Sequence, residues 1–140
     1  MENPLLRTLR EMNLLDDEQI EEALVAQRET GWPLDKVILS KGLLSEHDLL
    51  RAMSNSLSMD YSETLTHAVV PPIFVERVPV QFARNYYLVG LDQENGAMRV
   101  ATASPFDAYP MDDLASMLGM ELEPVLAPRT EITSLINKAY

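Results

Sequence analysis

Residues 4–27 return as residues 33–56 at an offset of 29, pairing Pro4 with Pro33, Leu5 with Leu34, Leu14 with Leu43, Leu15 with Leu44 and Ala23 with Ala52. Leu9/Ile38, Asp17/Glu46, Ile20/Leu49 and Leu24/Met53 are conservative matches. Internal repetition of this length constrains a fold more than any single residue, because each copy must be one supersecondary unit. The punctuation repeats as well. Asn13 coincides with Gly42, and these residue types best tolerate the left-handed backbone that ends a helix. Asp16 and Ser45 then supply N-caps, with Gln19 and Asp48 at the third helical position. Each copy therefore reads as a short helix, a tight turn and a longer helix.

The apolar spacing agrees with that reading. Leu5 and Leu9 lie four apart, and Ile20, Ala23, Leu24 and Gln27 share a stripe opposite Glu18, Glu21, Glu22 and Arg28. Leu34, Val37, Ile38 and Lys41, then Leu49, Leu50, Ala52 and Met53, repeat the pattern. Gly31 closes the first long helix and Pro33 suits the first turn of the next. One copy alone exposes an apolar face, so two stacked copies are expected to make a small four-helix core.

Residues 57–72 lapse into Ser/Thr-rich sequence ending at Pro71-Pro72, an irregular connection that still carries apolar residues. From residue 73 the grammar changes. Ile73–Val78 and Pro79–Tyr86 predict two short helices, the second starting on its proline. Tyr87–Leu91 and Ala97–Thr102 alternate around Asn95-Gly96, the strongest short-range hairpin signal. Pro110–Leu118 predicts a helix closed by Gly119. Leu122–Leu126 predicts a strand that Pro124 confines to an edge or a start, and Pro128–Tyr140 a last helix. The fold class is α+β: a duplicated helical half (1–56), a connection (57–72) and a small three-stranded α/β sandwich (73–140).

Charge narrows the function. Eleven Lys and Arg oppose 22 Asp and Glu, a net charge of −11, with 6 basic and 12 acidic groups in residues 1–60 and no basic half elsewhere. Nucleic-acid backbones and anionic membrane surfaces are poor partners for such a chain. The longest apolar run, Val69–Val75, holds two prolines and is too short for a bilayer span. Met1–Arg7 lacks the pattern of a signal peptide, so a cytoplasmic setting is expected.

Catalytic chemistry is sparse. There is no cysteine, and the glycines at 31, 42, 90, 96 and 119 frame neither a phosphate loop nor a dinucleotide fingerprint. His47, expected to be solvated on a helix's first turn, and His67, in a loop, lack metal-ligand spacing. Asp112 and Asp113 point about 100° apart on a helix and read as acids drawn to its N-terminal dipole. No enzyme, cofactor or metal centre is expected. Trp32, the sole tryptophan, either fills space between the repeats or stands out as an anchor for a partner.

The repeat resembles the duplicated motif in the N-terminal domains of bacterial type II secretion and type IV pilus assembly ATPases. Pro79-Val-Gln-Phe-Ala-Arg84 with Tyr87-Leu-Val, Ala103-Ser-Pro-Phe-Asp107 with Asp112-Asp113-Leu114, and Gly119 through Ala127 with Glu131 to Tyr140 are similar to the family's later segments. The resemblance implies a docking and regulatory domain that binds the cytoplasmic region of an inner-membrane platform protein and couples it to the ATPase domain of a parent chain. It would lie in the cytoplasm, peripheral to the inner membrane through that partner. In some members the motif binds cyclic di-GMP through an Arg, a Leu and a Gly. Here the Arg positions are Pro4 and Pro33, the first Gly positions are Leu6 and Asp35, and the closing Gln persists as Gln27 but becomes Ser56. A degenerate site would comprise Leu5, Arg7, Arg10, Gln27, Leu34 and Gly42, with Arg7 or Arg10 as substitute cations. Cyclic di-GMP is thus expected to be a poor ligand. A spacer role in ring assembly is the third alternative.

Overall fold

A computed structural model describes residues 3–106 and 108–140, excluding the side chain of Ala108. The chain divides into two compact units, Met1–Met59 and Asp60–Tyr140.

The first unit holds α1 (Pro4–Glu11), α2 (Asp17–Thr30), α3 (Leu34–Ser40) and α4 (Glu46–Leu57). Its repetition extends to individual hydrogen bonds. After α1, the Leu14 amide donates to the Leu9 carbonyl at 2.9 Å, and after α3 the Leu43 amide donates to the Ile38 carbonyl at 3.1 Å. Asn13 and Gly42, at the matching turn positions, have φ of 57° and 67°. Asp16 and Gln19 form a reciprocal capping box on α2, and the Ser45 hydroxyl accepts from the Asp48 amide on α4. Pro33, expected inside the first turn, instead occupies the N-cap of α3.

Burial repeats in step. Leu5 and Leu34, Leu9 and Ile38, Ile20 and Leu49, and Ala23 and Ala52 are all buried. The packing crosses between copies: α1 lies against α4 and α2 against α3. The short helix of each repeat is thus covered by the long helix of the other.

The second unit contains α5 (Pro72–Arg77), α6 (Val80–Tyr86), β1 (Leu88–Glu94), β2 (Ala97–Thr102), α7 (Ala108–Leu118), β3 (Glu121–Leu126) and α8 (Arg129–Ala139). The sheet order is β1-β2-β3. β1 and β2 form an antiparallel hairpin across Asn95 and Gly96, both at positive φ, as two-residue hairpin turns require. β2 and β3 are parallel and joined through α7. Pro124 lies in β3, whose other side carries, among the described residues, only the isolated bridge from Tyr61 to Leu126.

Several boundaries depart from the sequence reading. Tyr87 is not in the strand but ends α6 at φ 51°, and β1 extends to Glu94 through an irregularity between Gly90 and Asp92 that carries Leu91. Residues 60–71 are part of the second unit: Leu65 is buried in its core, and its amide donates to Glu131 Oε1 at 2.9 Å. α7 starts at Ala108 rather than Pro110, so Asp112 and Asp113 fall beyond its first turn and the dipole explanation for them fails. Asp107 lies outside the described residues.

Phe74, Met98, Leu114, Leu118 and Ile132 are the largest fully buried side chains of this core. Gly90 leaves room there, because an added Cβ would sit 2.7 Å from Met98 Sδ and 3.1 Å from the Phe74 ring and would force those side chains to shift. Arg77 Nη1 donates to the Leu118 carbonyl at 2.8 Å, satisfying the C-terminal end of α7. The Tyr140 hydroxyl donates to the Val78 carbonyl at 2.7 Å, and burial pushes that phenol up from its ordinary pKa.

The matched turns generate a direct test. Space around Gly42 is open within 4 Å, so only its φ of +67° opposes a side chain. Gly42→Ala should lower unfolding free energy by about 1 kcal/mol. Gly42→Asn, which copies the first repeat, should lose clearly less in the same urea titration.

Candidate functional site

The residues expected to form a ligand site divide into a buried set and a surface set. Leu5 and Leu34 are 1% and 5% exposed and belong to the crossed helical core. Gly42 sits in the turn after α3, where its amide donates to the Leu39 carbonyl. Gln27 is half-buried near the end of α2, and its carbonyl accepts from the Gly31 amide, closing that helix. Arg7 is exposed. Arg10, also exposed, places Nε 3.4 Å from an Asp17 carboxylate oxygen, so that substitute cation already faces an acid.

The motif departures have structural roles of their own. Pro4 is the first residue of α1, behind an Asn3 side chain that accepts from the Leu5 amide. Proline is well suited there because its φ is preset and no amide is needed. Leu6 is 2% exposed and Asp35 is 6% exposed in the first turn of α3. A carboxylate there is favoured by the helix dipole and disfavours a nearby phosphate.

Trp32 does not fill the space between the repeats. Its side chain is 39% exposed, with Lys36 Nζ 4.3 Å from the ring centroid. The αL turn at Gly31 sends the chain away from α2, the Trp32 amide donates to Thr30 Oγ1, and Lys36 reaches back from α3 over the indole. Val25 on α2 is another exposed apolar side chain of this unit, at 38%.

The acids of α2 are largely compensated. Arg28 lies 3.7 Å from Glu21, and Lys41 lies 3.5 Å from Glu22. Such exposed pairs contribute little stability, but they lower the charge that face presents. His47 is half-buried rather than solvated, and His67 is exposed in its loop. Among the described residues, no group of three or more His, Cys, Asp or Glu could hold a metal ion. No helix there is long and apolar enough to cross a membrane.

Two concavities in the second unit escaped the sequence reading. They flank the segment around His67 and Val69, with volumes of about 450 and 490 Å³. Leu91 and Arg99 border the first, and Val75, Leu135 and Lys138 the second. Irregular sequence carries no periodicity from which such hollows could be inferred.

The MshEN domain model matches residues 57–140, well over half of the chain. The chain belongs to the MshEN domain family. Over its whole length it resembles a solved structure of MshE with cdg (cyclic di-GMP), at 27% identity and a TM-score of 0.81, with all of both chains covered. The type IV pilus assembly ATPase PilB of Thermus thermophilus is 28% identical over 134 residues, or 94% of this chain and 15% of PilB. Type II secretion system protein E of Xanthomonas campestris is 25% identical over 142 residues, or 99% of this chain and 25% of that protein. This MshEN domain therefore spans a minor part of the relatives it matches and is homologous to their N-terminal domains. The likeness to MshE extends through the duplicated helices that precede most of the model match.

Proposed function

We propose that this MshEN domain is the docking and regulatory module of a secretion or pilus assembly ATPase. In this reading it binds the cytoplasmic region of an inner-membrane platform protein in the cytoplasm and couples that partner to the ATPase domain of its parent chain. The observation that carries the proposal is Trp32, an indole exposed between two helices in a chain homologous to such ATPases. Tryptophan is enriched among residues that dominate interface energies. Lys36 lies over the ring, a cation–π contact that favours this placement of the indole before a partner binds. Calorimetric titration of the domain with the cytoplasmic region of its cognate platform protein tests this. Trp32→Ala should weaken binding at least about tenfold while the circular dichroism spectrum stays unchanged. Absence of binding, or indifference to Trp32, would contradict the proposal.

The MshE structure with cdg favours a second reading, in which the helical repeats bind cyclic di-GMP. Opposing it here are the two prolines at the arginine positions, the acid at Asp35 and the pairing of Arg10 with Asp17. Guanidinium groups supply both stacking and bidentate contact to phosphates and guanines, and neither motif position has one. Wild-type protein should give a flat calorimetric trace with cyclic di-GMP at high micromolar concentration. Introducing Pro4→Arg together with Pro33→Arg should produce measurable heat. A saturable wild-type isotherm would instead favour the second reading.

A further inference from the structure

From residue 100 to residue 128 the chain holds no Lys, Arg or His, and five acids fall in that interval. α7 lies at its centre. Pro110, Leu114 and Leu118 turn into the unit. Tyr109, Asp112, Asp113 and Ser116 are all exposed, and their spacing of three, four and seven residues places them on one helical stripe. Tyr109 is 82% exposed, and Phe106, just before the helix, is 45% exposed.

A single exposed aromatic is ordinary. The charge environment distinguishes this face from the other acidic helix. On α2, Asp17, Glu21 and Glu22 each face a cation of the same unit. Asp112 and Asp113 make no ion pair or hydrogen bond among the described residues. The dipole does not explain them either, since they lie beyond the first turn.

We propose that the exposed face of α7 is a docking surface for an arginine-bearing, positively charged segment of a protein. A guanidinium can stack on the Tyr109 ring while its edge pairs with a carboxylate one turn along, which a lysine ammonium cannot do in the same way. Phosphate-bearing partners are repelled by the same carboxylates. This surface lies on the other unit from Trp32 and does not depend on the docking proposed there.

Two short synthetic peptides test it, one of arginine, leucine and alanine, the other with lysine at every arginine position. Each is titrated into the isotopically labelled chain and followed by amide chemical shifts. Shifts should concentrate at Phe106, Tyr109, Asp112, Asp113 and Ser116, with the arginine peptide binding at least about threefold tighter. Tyr109→Ser should abolish that preference and leave the remaining spectrum intact. Shifts centred on Glu18, Glu21 and Glu22, an even spread over the surface, or an arginine preference that survives Tyr109→Ser would overturn the proposal. Trp32 resonances report separately, so failure here leaves the platform-docking reading standing.

Discussion

The helical unit depends on burial that neither repeat can achieve alone. Leu5 and Leu9 on α1, and Leu34 and Ile38 on α3, are covered because each short helix packs on the long helix of the other copy. Fully burying such side chains contributes about 1.5–3 kcal/mol each. Helices of seven and eight residues are too short to persist in water by themselves. The crossed arrangement therefore decides which residues remain for function. Motif leucines are consumed by the core, while the connecting segment between copies, Trp32 included, reaches solvent.

That division bears on the ligand question. A duplicated motif serves stability through its apolar positions and recognition through its polar ones. Here the buried leucines are kept in both copies, while prolines begin or cap the short helices, Asp35 is buried in a first turn, and Gln27 stays in the first copy alone. The prolines and Asp35 suit helix initiation, so these positions serve the fold whatever the surface binds. The same scaffold is compatible with the MshE likeness across the whole chain and with a different use of its surface.

Much of the architecture was legible in the sequence because it rests on local rules. Asn13 and Gly42 mark the turns through φ, Asp16 and Gln19 mark a helix start through reciprocal capping, and Asn95-Gly96 marks the hairpin. What escaped depends on long-range packing. Tyr87 looks like a strand residue by propensity, yet it ends α6 in a left-handed conformation beneath Arg129. Leu65 sits in polar, irregular sequence, yet its side chain is buried in the core and its amide bonds to Glu131. Candidate site residues were harder still. Leu5 and Leu34 read equally as core or as ligand contacts, and the exposure of Trp32 depends on packing that residue spacing does not encode.

Hydrogen–deuterium exchange, measured with and without the cytoplasmic region of the platform protein, tests the central claim most directly. The account predicts slowed exchange in the segment from Val25 to Lys36, around Trp32, with the buried turns of the helical core unchanged. Uniform exchange in the partner's presence, or protection that avoids this segment, would contradict it.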